Sequence, residues 1–124
     1  MRKISKQIAN AFTSGQTMDM GNSHTDGKSV YLFGNLIAWR SPGNTLELTL
    51  AGWPTVTTRD RLNAILQSEG FKINAGESYG YSFEQKDSKQ YFVTTVFNGY
   101  KSSVSERMPL HNRQIVSLGK KGDL

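Results

Sequence analysis

The clearest pattern of hydrophobic and polar residues lies in residues 45–71. Its first six residues, TLELTL, alternate strictly, which predicts a β-strand with its three leucines on the buried face. AGWP follows, and the strand is expected to end there because Pro54 cannot donate a hydrogen bond to a neighbouring strand. Apolar residues then recur every three or four positions, which predicts a helix that buries Leu62, Ile65 and Leu66.

Both ends of this helix carry sequence signals. Thr57 is the expected N-cap, because Asp60 three residues later completes a capping-box arrangement and places an acid at the positive end of the helix dipole. Gly70 is expected to end the helix, with Phe71 packing back on Leu66.

The same segment offers candidate protein-interface residues. Trp53 is expected either to cap the edge of the core or to lie exposed, and Arg59 and Arg61 are expected on or near the solvent side of the helix. Arginines at a helix start could also hold a phosphate. The predicted cap already occupies the free N–H groups, however, and its acid repels an anion, so the structural interpretation is favoured.

The remaining segments predict a second helix and several strands. Residues 1–15 form an amphipathic pattern with a glycine at its end, which is typical of a short helix. Residues 16–29 are polar and rich in glycine, so they predict a loop or an irregular strand. The apolar residues 30–40 predict either a hairpin that turns at Gly34–Asn35 or one buried strand with a glycine bulge.

Alternation returns in residues 79–106, which predict a three-stranded meander with one turn at 85–89 and another at Asn98–Gly99. Residues 114–118 are expected to form an edge strand, and residues 119–124 to fray. The sequence therefore predicts an α+β fold, in which two short helices pack on a mainly antiparallel β-sheet that ends in the meander.

Length and composition narrow the class of protein. The 124 residues suit a single domain, 1–124, organised around a strand-strand-helix centre at 30–71. No apolar run reaches the roughly 18 residues that span a bilayer, and the start lacks the apolar stretch of a signal peptide, so no membrane contact and a cytoplasmic location are expected. The absence of cysteine excludes disulfides, thiol catalysis and Cys-ligated zinc.

No catalytic or cofactor motif is present, so no enzymatic activity and no cofactor are expected. His24 and Asp26 would face the same way in an extended segment, but the sequence supplies no third ligand nearby, so no metal site is expected. The net charge of +5 makes a polyanionic partner plausible, although the basic residues are dispersed.

The meander carries the most suggestive feature for function, with seven aromatic residues in 22 positions and basic residues around them. Aromatic rings on a sheet stack bases at about 1–3 kcal/mol each, and nearby cations neutralise phosphates. A small β-rich core also uses aromatics for packing, and that interpretation is favoured. The candidate nucleic-acid-binding residues are Tyr79, Tyr81, Tyr91, Lys86, Lys89, Lys101 and Arg107, with Lys3 and Lys6 of the N-terminal helix.

The first 70 or so residues resemble a class of small proteins of tailed bacteriophages. The shared parts are a short helix that ends near Ala11–Phe12, LFGNLIA at residues 32–38, GW at 52–53 and TVTTRDRLNA at 55–64. The resemblance implies a phage origin and action in the cytoplasm of the infected host. It implies no activity, so it assigns no functional residue, and it does not reach the meander.

Three classes of function remain open on the sequence. The first is a non-catalytic phage accessory protein that binds single-stranded nucleic acid through the aromatic and basic meander. The second is an inhibitor or modulator that binds a host protein, such as a polymerase or a defence enzyme, through an edge strand or the region of Trp53. The third is a small homo-oligomeric or virion structural protein.

Overall fold

The computed structural model describes residues 2–71, 79–98 and 102–119. In these ranges the chain forms two helices, α1 (Lys3–Thr13) and α2 (Val56–Ser68). The strands of the same ranges are β1 (Met18–Asp19), β2 (Ser23–Thr25), β3 (Ser29–Leu32), β4 (Asn35–Ser41), β5 (Thr45–Thr49), β6 (Tyr79–Lys86), β7 (Lys89–Asn98), β8 (Ser102–Pro109) and β9 (Ile115–Leu118). The predicted α+β class is confirmed.

The strands form two antiparallel sheets. The larger sheet has the order β1-β2-β3-β4-β5-β9, and the smaller one has the order β6-β7-β8. The smaller sheet is the predicted meander. β9 confirms the expected edge strand, and it pairs with β5. Residues 16–29 contain β1 and β2, so the polar segment forms two short strands. The turn predicted at Asn98–Gly99 lies partly outside the described residues.

One core lies between the helices and the larger sheet. The leucines of β5 and the apolar stripe of α2 are fully buried there, as their periodicity predicts. α2 packs against α1, β4 and β6, so it joins the two sheets. Phe83 of β6 and Phe92 of β7 belong to the same hydrophobic cluster. Burying each large apolar side chain contributes about 1.5–3 kcal/mol to folding.

The start of α2 differs from the prediction. Thr55 is the N-cap, in an extended conformation, and its Oγ1 accepts a hydrogen bond of 3.1 Å from the N–H of Thr58. The predicted capping box of Thr57 and Asp60 is therefore wrong. The Asp60 carboxylate instead accepts hydrogen bonds from the hydroxyl of Ser5 and the N–H of Arg2, and so ties α2 to α1.

The end of α2 follows the prediction. Gly70 has a φ of +82°, a conformation that glycine adopts without strain. The N–H of Phe71 donates to the carbonyl of Leu66 over 2.7 Å, which closes the last turn of the helix.

The segment 30–40 is a hairpin, one of the two predicted alternatives, but its turn is displaced by one residue. Phe33 and Gly34 occupy the two turn positions, with φ of +50° and +79°, and Asn35 already belongs to β4. Two positive φ angles match the right-handed twist of a hairpin, and this turn normally carries Asn or Gly at its first position. This turn differs from the usual type because an aromatic residue, Phe33, occupies its first position.

Candidate functional site

A cleft of about 240 Å³ opens between the β3–β4 turn and the loop that joins β5 to α2. Its lining is mostly apolar, and it includes three side chains of the core and the two aromatic rings of Phe33 and Trp53. The lining residues are Leu32, Phe33, Asn35, Ile37, Leu50, Trp53, Thr55 and Thr58. We call this feature the aromatic cleft.

Large apolar side chains are exposed around the aromatic cleft. Phe33 is 69% exposed and Trp53 is 57% exposed. Val56, next in the chain to the lining residue Thr55, is 63% exposed. Scattered single apolar residues on a surface need no explanation, but a group of them beside a cleft is typical of a binding site.

The backbone on both sides of the aromatic cleft is strained. Phe33 and Ala51 have φ of +50° and +55°. These values lie in the left-handed region, which residues other than Gly, Asn and Asp rarely adopt. Such a residue costs on the order of 1–3 kcal/mol and persists only where its surroundings hold it. The N–H of Phe33 donates to the carbonyl of Asn22 over 2.7 Å, and the N–H of Gly52 donates to the carbonyl of Asn112 over 2.8 Å.

Arg61 supports the Phe33 turn from inside. The sequence places this residue on or near the solvent side of α2, and that prediction is wrong, because Arg61 is only 2% exposed. Its Nε donates to Ser23 Oγ over 2.8 Å, and its Nη1 donates to Ser5 Oγ over 2.6 Å. Its Nη2 lies 3.4 Å from Oδ1 of Asn22, whose carbonyl holds Phe33.

The Arg61 guanidinium is buried close to a carboxylate. Burial lowers the pKa of the Arg61 guanidinium, and the carboxylate of Asp60, 3.9 Å away, opposes that shift. Arg61 therefore stabilises the elements beneath the aromatic cleft and does not contribute to an outer surface.

Two other guanidinium groups contact the chain neighbours of Trp53, namely Pro54 and Gly52. Nη1 of Arg59 donates to the carbonyl of Pro54 over 3.1 Å, and burial lowers the pKa of this side chain. The guanidinium of Arg113 packs against Gly52, where a Cβ would lie 3.1 Å from Arg113 Cζ. Within the described residues, neither arginine forms an ion pair.

The sequence indicates Trp53 and Arg59 as interface candidates; Trp53 lines the aromatic cleft, and Arg59 reaches the carbonyl of Pro54, the next residue in the chain. The sequence does not indicate Phe33 or Arg113 as candidate functional residues. Phe33 precedes the glycine of a hairpin, and a bulky residue before such a glycine is the signal that could have identified it. Arg113 has no such signal, because it reaches Gly52 only through the pairing of β9 with β5.

The smaller sheet divides the candidate nucleic-acid-binding residues between its two faces. Tyr81 is half-buried, stacks on Phe92 at a centroid distance of 5.4 Å and packs against the core. Tyr91 is the neighbour of Phe92 in β7, so its side chain projects to the opposite face. Three exposed basic residues share that face with Tyr91 by strand register, namely Lys86, Lys89 and Arg107, and Val93 on the same face is buried.

The other candidates do not join this group. Lys3 and Lys6 are exposed on α1, which packs on α2 and the first three strands rather than on the smaller sheet. Tyr79 begins β6, opposite Val96. Lys101 lies outside the described residues.

The described residues bring together no group of three or more His, Asp and Glu side chains that could hold a metal ion. Neither helix in the described part of the chain is long and apolar enough to cross a membrane.

The fold and the aromatic cleft define a small α+β protein with an apolar recess lined by two exposed aromatic side chains. The chain belongs to the Kyanoviridae Gp96 protein family, a bacteriophage family whose model matches residues 1–103. This match confirms that the chain belongs to a phage protein family, as the resemblance implies, and it extends beyond the first 70 residues into the meander. No curated protein and no solved structure matched the chain.

Proposed function

We propose that this phage protein is a non-catalytic accessory protein that binds a partner protein through the aromatic cleft. The observation that carries the proposal is Phe33, which is strained in its backbone and 69% exposed in its side chain. A residue in that position contributes little burial and costs conformational energy, so folding gives no reason for it. Contact with a partner supplies that reason.

The size of the aromatic cleft favours a protein partner over a cofactor. Sites for small molecules usually enclose roughly 300–1,000 Å³. The aromatic cleft has about 240 Å³ and two projecting rings, which suits one apolar side chain inserted from another surface. Aromatic anchors of this kind commonly carry most of the binding energy of an interface. A host protein in the infected cytoplasm, such as a polymerase or a defence enzyme, is the proposed partner.

The test is a pull-down from nuclease-treated host lysate with the tagged full chain and three variants. Phe33→Asn suits the turn and removes the ring, and Trp53→Gln removes the opposite wall. Met108→Gln is the matched control, because Met108 is an exposed apolar residue of the smaller sheet, 44% exposed. We expect the same host protein with the wild type and the control, and at least tenfold less with the two cleft variants. Equal recovery with all four baits contradicts the proposal, and so does an empty wild-type bait.

A second candidate, binding of single-stranded nucleic acid, is favoured by a specific observation on the smaller sheet. Lys86 and Lys89 are direct cross-strand partners and both are exposed. Like charges opposite one another destabilise a sheet, and a bound phosphate relieves their repulsion. Tyr91 on the same face could stack a base, although Glu84, its partner on β6, reduces the positive charge there.

Fluorescence anisotropy with a labelled single-stranded oligonucleotide tests this second candidate. The logarithm of the binding constant falls by about 0.7 per neutralised phosphate for each tenfold rise in salt concentration. If each of the three cations neutralises one phosphate, the expected fall is about two. We expect Tyr91→Ala to weaken binding and Tyr31→Ala, a tyrosine of the other sheet, to leave it unchanged. An equal effect of the two substitutions excludes the Tyr91 face as the site.

A further inference from the structure

We infer that the partner segment bound in the aromatic cleft is acidic, with one apolar side chain flanked by Asp or Glu residues. This inference rests on the proposed function and specifies the chemistry of the partner. Its basis is a pair of guanidinium groups at the residues that adjoin Trp53 in the chain, Arg59 at Pro54 and Arg113 at Gly52.

In the part of the chain that the structure describes, no carboxylate pairs with Arg59. Its Nη1 lies 3.0 Å from Oε1 of Gln85, 3.0 Å from Oε1 of Gln90 and 3.1 Å from the carbonyl of Pro54. All three acceptors are neutral, so they orient the guanidinium without cancelling its charge. Pro54 directly follows Trp53, so the positive charge of Arg59 lies at the backbone just after Trp53.

Arg113 places a second positive charge at Gly52, the residue just before Trp53. Its Cζ and Nη2 lie 3.1 Å, and its Nε 3.4 Å, from the position that a Cβ of Gly52 would take. The guanidinium therefore packs against the backbone just before Trp53, where a Cβ at residue 52 would crowd it. The side chain is exposed, so a carboxylate of a partner can reach it, and no ion pair of Arg113 occurs among residues 2–71, 79–98 and 102–119.

The two cations and the apolar recess select one kind of occupant. An apolar side chain fills the aromatic cleft, and acidic residues on each side of it meet Arg59 and Arg113 at close range. At physiological salt the screening length is about 8 Å, so only charges adjacent to the inserted side chain gain appreciably. A surface pair contributes up to about fivefold in affinity, so two pairs of about threefold each give the expected effect of about tenfold.

The test uses three synthetic peptides and the full chain labelled with ¹⁵N. Each peptide has a single central Phe, flanked on both sides by two residues of Glu, of Gln or of Lys. The reporter is the indole N–H signal of Trp53, assigned by its persistence in a Trp39→Phe variant. We expect the Glu peptide to bind about tenfold tighter than the Gln peptide, and the Lys peptide to bind most weakly. We expect Arg59→Gln and Arg113→Gln each to reduce this preference severalfold, and Lys89→Gln, a cation of the smaller sheet, to leave it unchanged.

The outcomes separate this inference from the proposed function. Equal affinity for the Glu and Gln peptides, with Trp53 shifting for both, overturns the acidic preference and leaves the aromatic cleft as a binding site. No shift of Trp53 with the Glu peptide also overturns the inference, while the host pull-down independently decides the proposed function. If Trp53 shifts with protein concentration alone, and sedimentation detects a dimer that Phe33→Asn abolishes, the occupant is a second copy and the inference is overturned.

Discussion

The side-chain amide of Asn63 and the backbone of Phe83 exchange two hydrogen bonds. The Nδ2 of Asn63 donates to the carbonyl of Phe83 over 3.0 Å, and the N–H of Phe83 donates to Oδ1 of Asn63 over 2.7 Å. A side chain of α2 thus pairs with β6 as a neighbouring strand would. This contact covers part of an edge that would otherwise offer free N–H and C=O groups, and it fixes the smaller sheet to the helix.

Asn63→Ala is expected to destabilise the protein because it leaves both backbone groups of Phe83 without partners in a half-buried position. The expected loss is about 2 kcal/mol in the free energy of unfolding, from a typical cost of about 1–3 kcal/mol per unsatisfied buried group. Urea unfolding followed by circular dichroism measures it. Gln67→Ala, an exposed position of the same helix, is the control and is expected to change stability by less than about 0.5 kcal/mol. Equal losses in the two variants would mean that the contact does not join the sheet to α2.

Phe33→Asn is expected to preserve or raise stability, although it removes an aromatic ring. Asn tolerates the left-handed conformation that Phe33 adopts at φ +50°, so the substitution relieves up to about 1 kcal/mol of strain. Phe33→Val, which places a β-branched residue in the same turn, is expected to lower stability. The midpoints of thermal unfolding of the two variants measure this difference. A loss of more than 1 kcal/mol in Phe33→Asn would assign the ring to folding instead of binding.

The periodic parts of the chain were predictable because their signals are local. Strict alternation places the leucines of β5 on one face, and the spacing of three and four places Leu62, Ile65 and Leu66 in the core. Gly70 ends α2 for an equally local reason, since the positive φ is required by the turn itself.

The features that define the aromatic cleft depend on contacts between distant residues. Arg61 precedes Ile65 by one helical turn, which is a sign of a buried face, but its partners Ser5 and Ser23 lie 56 and 38 residues away. The sequence points to Thr57 as the N-cap because Asp60 follows three residues later, but Asp60 binds Ser5 of the other helix and Thr55 caps α2. Sequence periodicity reports local structure and therefore cannot predict these contacts between distant residues.

The faces of the meander show the same limit. Alternation predicts that the side chains of Tyr81 and Phe83 share one face, but not which face meets the core. That choice follows from the position of α2, and it places Tyr81 on the core side and Tyr91 on the outer side.

Arg61→Lys is expected to be strongly destabilising despite the retained charge. The guanidinium donates to three acceptors at once in a planar fork, whereas an ammonium group on a flexible chain cannot match this geometry and is more strongly hydrated. We expect a loss of at least about 2 kcal/mol in the free energy of unfolding, since buried acceptors lose their donors. Arg107→Lys, an exposed position of β8, is the control for the chemical change. A neutral effect of Arg61→Lys would refute the role of Arg61 as a support of the Phe33 turn.

Asp60 is expected to make stability depend on acid pH. Burial by itself would raise the pKa of this carboxyl, but the hydrogen bonds from the Ser5 hydroxyl and the Arg2 N–H outweigh it and hold the pKa below its ordinary value of 3.8. A carboxyl with a lowered pKa in the folded state stabilises the protein fully above its unfolded pKa. That contribution is lost as the pH falls from 3.8 through the folded value, because the folded state then takes up the proton that the unfolded state already holds.

Asp60→Asn separates this contribution from the general effect of acid. The variant is expected to be less stable than the wild type at pH 7 and to lose less stability when the pH is lowered to about 3, since it has no carboxyl at this position to protonate. Urea midpoints at the two pH values measure both effects. Asp87→Asn is the matched loss of a carboxylate, in the exposed turn between β6 and β7, where φ is +52° and Asn is well tolerated. If Asp60→Asn and the wild type lose stability in parallel between the two pH values, the carboxylate does not link α1 to α2 in solution.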